Sequence, residues 1–282
     1  VSSVTPVLIS HAGDPKDGAV SIGEAEIRAN RLRARLIGSG AGLLPGLILG
    51  VLFGLLVGPL AGVVAGVVAA VAVALVVSIW ATELSVRLIG GRPVQEDDEP
   101  GLANLVEGLC ATFGVPRPRL WLVRDPVPNA CSLGRRPSRA SLVVTTGLLD
   151  RLDLIETEGV VAHELAHIKR HDTAVSETAV VFLYPFARMT GSDRLLHAAL
   201  GRGREYRADE VAAATVRYPP GLRDALLALE SGPAPGSGSV FTGRRWAATR
   251  WLWIDPMVGD RDAPLEGALD NTAVRSAALG EW

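Results

Sequence analysis

Apolar and polar positions are unevenly shared along the chain. Residues 36–79 form a run of 44 positions without a single charge. A bilayer core ~30 Å thick is crossed by about 20 helical residues at 1.5 Å each. One helix of that whole run would be about 66 Å long, roughly twice what is needed. The pattern therefore predicts two transmembrane spans, 37–57 and 60–80, folded back at Gly58-Pro59, two helix breakers in the middle of the run. Glycine recurs at every fourth position from Gly38 to Gly66. Residues at i and i+4 share a helix face, so the first span carries a side-chain-free groove suited to close packing. The groove fits the second span or a second copy of the chain, as a homo-oligomer.

Charge sets the expected orientation. Arg28, Arg31, Arg33 and Arg35 precede the first span, Arg87 and Arg92 follow the second, and the turn carries none. Positive flanks stay inside, which puts both ends of the hairpin and everything after it on the cytoplasmic side of a bacterial membrane. Two cysteines, Cys110 and Cys131, make no disulfide framework and suit a reducing compartment. The mean hydropathy of +0.28 beside 21% charged residues is accounted for by the apolar run. A net charge of −2 leaves no basic field for nucleic acid, so none is expected as a partner.

The rest of the chain reads as α+β, mainly helical. Residues 1–35 form a cytoplasmic N-terminal segment, 36–80 the hairpin, 81–100 an acidic linker and 101–282 a folded domain. Leu102, Leu105, Val106, Leu109 and Phe113 fit a helical stripe, while 120–123 and 141–146 read as short strands of a small sheet. Segment 231–239 is rich in Gly, Ser and Pro and reads as a flexible loop. Trp246, Trp251 and Trp253 in the tail suit either a core or a bilayer interface.

The chemistry concentrates in 160–172, which reads VVAHELAHIKRHD. His163 and His167 are four apart, so on a helix both imidazoles project from one face and can clamp one Zn²⁺. Glu164 is turned about 100° from His163, within reach of a water at the metal. Asp153 and Glu156 are spaced as a capping pair that starts this helix. His171 is one turn further on, about 12 Å of rise beyond His163, and reads as a polar helix end. A catalytic zinc takes three protein ligands and keeps one open position. Glu205 is a candidate for the third, with Asp209 four residues later able to orient a ligand imidazole. From spacing alone, Glu205 reads equally well as a solvated charge among Arg202, Arg204 and Arg207.

The stretches PNAC (128–131), VVTTGLL (143–149), GVVAHELAHI (159–168) and REYRAD (204–209), in this order, resemble the HtpX/CAAX-endopeptidase family of integral-membrane zinc metallopeptidases. The resemblance covers about 115–230. It implies a zincin-like metallopeptidase domain of gluzincin type, with one zinc on His163, His167 and Glu205 and with Glu164 as the catalytic base. It also implies protein or peptide substrates, membrane or misfolded proteins cut on the cytoplasmic side, held in extended form along Asn129-Ala130 and 141–146. Two other readings of the same resemblance are a signal transducer akin to the β-lactam-sensing metallopeptidase receptors and a catalytically dead membrane scaffold. The chain departs from the family at two places. Family members often have two further spans before the third ligand, whereas 178–187 is apolar but short and contains Pro185. The family's C-terminal His-Pro is also missing ahead of Arg275 and Leu279. With no histidine after His197, Tyr206 and Arg275 are the candidates for a donor to the transition-state oxyanion.

Overall fold

A computed structural model describes residues 23–95, 98–183, 200, 203–256, 258 and 272–282. The hairpin is there, and its helices are longer than the spans. Helix α1 is Glu24–Leu56 and α2 is Pro59–Leu88. At 1.5 Å per residue they measure about 50 and 45 Å, so each carries several turns beyond the ~30 Å of a bilayer core. Gly58 makes the turn with φ 136°, a conformation that side chains disfavour, and Pro59 opens α2 at its first position.

The glycine groove is filled within the chain. A Cβ added at Gly46 would lie 2.7 Å from the Gly66 carbonyl oxygen, and one at Gly62 would lie 2.5 Å from that of Gly50. The two backbones touch where side chains are missing. The outward faces are apolar and open: Leu55 is 83% exposed and Leu60 79%. Two helices of this length and composition, left largely uncovered by the other described residues, suit a lipid surround.

After α2 the chain enters a four-stranded sheet of order β1-β2-β4-β3, from β1 (Arg92–Pro93), β2 (Arg119–Val123), β3 (Ala130–Leu133) and β4 (Ser141–Thr145). Strands β2 and β4 are parallel, and the other two pairings are antiparallel. Helix α3 (Pro100–Phe113) precedes β2 and buries the apolar stripe read from its sequence. Helix α4 (Thr146–Arg151) leaves β4, with the Thr145 hydroxyl accepting from the Leu148 amide as its cap. Helix α5 (Leu154–Arg170) carries the histidines, and α6 (Thr173–Leu183) lies against α1, α2 and β3. Helices α7 (Arg204–Val216), α8 (Pro219–Glu230), α9 (Gly243–Thr249) and α10 (Thr272–Leu279) complete the described domain.

One expectation changes, and one left open is settled. Residues 141–145 form the central strand, paired on both sides, so β4 has no free edge for a substrate backbone. Strand β3 is at the sheet's margin, but the Ile254 amide donates to the Ala130 carbonyl at 2.9 Å and Cys131 bridges to Trp253. Trp246 and Trp253 are core residues, and Trp251 is half-buried against them. Trp253 is 2% exposed and packs edge-on to Phe241, which also meets Trp246. Of the apolar stretch 178–187, Ala179 and Val180 are fully buried, and 184–187 lie outside the described residues, as does the segment 269–271 in the place of the missing His-Pro.

Candidate metal centre

Helix α5 is started by a complete capping box: the Asp153 carboxylate accepts from the Glu156 amide at 2.8 Å, and Glu156 accepts from the Asp153 amide at 2.9 Å. From Thr157 onward it is almost wholly buried. Gly159 is where α8 crosses it, since a Cβ there would sit 2.6 Å from the Leu222 nitrogen. The helix ends at His171, which takes a left-handed conformation with φ 60° and sets its Nε2 3.1 Å from Arg31. Burial, followed by Arg31, lowers the pKa of His171. His171 is outside the ligand cluster.

His163 and His167 share the inner face of α5, and Glu205 meets them from the first turn of α7. His163 Nε2 and His167 Nε2 are 3.0 Å apart, and Glu205 Oε2 is 3.1 and 3.3 Å from them. Four ligands placed tetrahedrally at about 2.0–2.1 Å from one zinc would be about 3.3 Å from each other. The three donor atoms already stand near that spacing, so the residues fit the metal that the motif implies. All three are buried, and Glu164, next to His163, is 1% exposed.

The outer nitrogens of the imidazoles are also held. His163 Nδ1 is 2.7 Å from Asp209 Oδ1, and His167 Nδ1 is 2.9 Å from Asp172 Oδ1. A carboxylate at Nδ1 holds the proton there and leaves Nε2 free to ligate. Asp209 stands where the sequence reading put it, four residues after Glu205. Asp172 was missed, because it lies beyond the helix end, where spacing makes no prediction. Burial acts against the charged form of His167, but Asp172 and Glu205 outweigh it and push the pKa up to about 9. Burial would raise Glu205, Asp172 and Asp209. Their partners win, chiefly Arg204, His167 and Arg275 respectively, so all three are lowered, Glu205 well below the ordinary carboxylate range.

Arginines support the carboxylates. Arg204 Nε donates to Glu205 Oε1 at 2.8 Å and its Nη1 donates to the Ser176 hydroxyl, which leaves Oε2 facing the histidines. Arg275, fully buried, grips Asp209 through Nε at 2.7 Å and Nη2 at 2.8 Å and donates to the Ile254 carbonyl at 2.8 Å. It therefore stands on the Nδ1 side of His163, and its Nη1 also lies 3.8 Å from Glu205 Oε2. Tyr206 is turned toward the Trp282 ring, 5.8 Å between centroids. Asn129 is fully buried and exchanges both of its amide groups with the Asp255 backbone. It and Ala130 thus hold the 254–255 segment in place.

A model of peptidase family M48 matches residues 96–249, more than half of the chain, and the chain belongs to that family of metallopeptidases. Within it the chain is HtpX-like. It is 35% identical over 210 residues to a protease HtpX homolog of Tropheryma whipplei (strain Twist), covering 62% of this chain and 69% of that one. The homolog of Dictyoglomus thermophilum is 36% identical over 177 residues, 51% of this chain and 58% of its own. That of Pelotomaculum thermopropionicum is 31% identical over 220 residues, 66% and 77% respectively. No solved structure matches the chain.

Proposed function

We propose that the chain is a membrane-embedded zinc endopeptidase that cuts membrane or misfolded proteins on the cytoplasmic side. The observation that carries this is the trio His163, His167 and Glu205, with donor atoms 3.0–3.3 Å apart and each imidazole backed by a carboxylate. When bound, zinc supplies Lewis acidity to a scissile carbonyl and to the attacking water. Glu164 takes the proton of that water and returns it to the leaving amine. Asp209 and Asp172 would hold the Nδ1 protons, so that with the metal bound each ligand imidazole turns an unprotonated Nε2 to it in a fixed direction. Arg204 holds Glu205 charged and aims one oxygen at the site. The burial of the centre keeps bulk water from competing with these groups.

The experiment is zinc content and cleavage of casein, or of the chain itself, by the purified full chain. Glu164→Gln is expected to keep one zinc per chain and lose turnover, because the base is not a ligand. Glu205→Ala is expected to bind zinc more weakly, because three ligands become two. A Glu205→Ala protein that binds zinc as tightly as the unaltered chain would overturn the ligand assignment. Full turnover by Glu164→Gln would overturn the role of the base.

A further inference from the structure

Helix α1 does not begin at the membrane. Its first twelve residues precede the apolar run, and one face of them, Glu26, Asn30 and Ala34, repeats at i+4 and is buried or half-buried. Asn30 is 7% exposed and Ala34 3%. The Asn30 side-chain amide donates to the Arg170 carbonyl, at the end of α5, at 3.1 Å. The pre-membrane turns of a helix that runs on into the first span are thus tied, at Asn30, to the C-terminal end of the helix that carries both histidines.

The contact has an electrostatic core. The Arg170 side chain is 1% exposed, and a buried guanidinium needs an anion. Among the described residues its close anion is Glu26, 2.5 Å from Nη2. Asp172 follows at 3.7 Å from Nε, and Arg170 Nη1 also donates to the Arg204 carbonyl at 3.4 Å. Asp172 has a separate task, holding His167 Nδ1 through Oδ1, while its Oδ2 has no hydrogen-bond partner. The groups therefore form an alternating row: Glu26, Arg170, Asp172, His167. If Glu26 loses its charge, Arg170 keeps its own in a dry setting and turns to the one carboxylate left beside it. That carboxylate is the one that orients a ligand.

We propose that Glu26, delivered by the pre-membrane turns of α1, is a positioning residue of the metal centre, acting on His167 through Arg170 and Asp172. Because α1 is one helix from Glu26 through the first span, the geometry of His167 is tied to how that span sits. The inference rests on zinc being the metal of the proposed function.

The test uses the full chain in detergent, stripped with a chelator and reloaded. Zinc affinity is measured by competition with a chromophoric chelator, and the visible spectrum is recorded with cobalt in place of zinc. Partners directly behind a metal ligand change affinity by about 10–100-fold. One step further out, Glu26→Gln is expected to weaken zinc about tenfold and to change the cobalt d–d bands. Glu26→Ala should do the same. Arg28→Ala, on the exposed side of the same turns and paired with Glu24, should leave both readouts as they are. Thermal unfolding of the metal-free proteins separates ligand geometry from loss of fold. Glu26 variants with unaltered cobalt bands and affinity would overturn the inference while leaving the zinc reading intact. Unaltered bands with a loss of affinity that follows the loss of metal-free stability would overturn it equally. If the unaltered chain takes up no zinc, the proposed function and this inference fall together.

Discussion

At the scale of residues, the site is a set of alternating charges in a dry setting, and Glu177 on α6 is a charge of another kind. It is fully buried, Thr82 of α2 donates to its Oε1 at 2.8 Å, and its Oε2 has no hydrogen-bond partner. Burial is the dominant influence. The Thr82 hydroxyl, the Gly134 amide and the more distant Arg135 offset it only in part, so the pKa rises from 4.5 to about 7. Below pH 4.5 the carboxyl is protonated whether the chain is folded or not, and nothing is lost. Between about 4.5 and 7 the unfolded chain releases a proton that the folded chain keeps, so stability falls as pH rises. Above 7 the whole loss is in place, roughly 3 kcal/mol at most. Glu177→Gln should therefore stabilise the chain at pH 8, leave it little changed at pH 4.5 and flatten the slope between. Unfolding midpoints across that range measure it, and an unchanged slope would count against the assignment. What could be read from sequence at this scale was whatever local spacing dictates: His163, Glu164 and His167 on one helix, and Asp209 one turn after Glu205. Asp172, Arg204 and Arg170 could not be read, because an arginine's partner is chosen by the tertiary fold. Arg275 illustrates the same limit, since its place in the chain suggested a donor and its burial makes it the anchor of Asp209.

At the scale of elements, the helices were legible and the sheet was legible only in part. The capping box of α5, the stripe of α3 and the break at Gly58-Pro59 are local signals, and each appears where the sequence puts it. Strand β3 has four residues in a Pro-, Arg- and Ser-rich surround, too short for a period of two to stand out. Its pairing with Trp253–Ile254 joins positions more than 120 residues apart, which no local pattern encodes. The period-four glycines could be read as a packing face, but only the structure shows α2 as its occupant. The two faces are not equally tight. A Cβ at Gly54 would meet the nearest atom at 3.8 Å, an ordinary contact, whereas one at Gly62 would come within 2.5 Å of the Gly50 oxygen and 2.6 Å of the Gly54 Cα. Gly54→Ala is therefore expected to behave as the unaltered chain. Gly62→Ala, one methyl at the facing position, should force the helices apart and lower the thermal aggregation midpoint in detergent by several degrees. Equal midpoints for the two variants would show that the close contact contributes no stability.

At the scale of the whole molecule, the apolar surface is set apart from the domain. Exposed leucines and valines crowd α1 and α2 from Leu36 to Leu84, while among the described residues beyond Leu88 they are scattered. The hairpin makes both of its lower ends, the pre-membrane turns of α1 and the whole domain lie on one side of any bilayer that it crosses. Which side depends on charge, and the arginines flank those lower ends while the turn at Gly58-Pro59 has none. Thiol labelling can decide this with little background. Cys110 and Cys131 are 6% and 0% exposed, and burial pushes both thiols up, so the reactive thiolate is scarce. Cysteines at Ala25, Leu60 and Ala234, all exposed, report on the start of α1, the turn and the domain. With a membrane-impermeant maleimide on intact bacterial cells, Leu60→Cys should be labelled, and Ala25→Cys and Ala234→Cys only after lysis. Labelling of the last two with Leu60→Cys silent would put the domain outside and overturn the cytoplasmic reading. Labelling of just one of the two would break the hairpin itself, because α1 and the domain could then no longer share a side, and the contact between Glu26 and Arg170 could not form in the membrane.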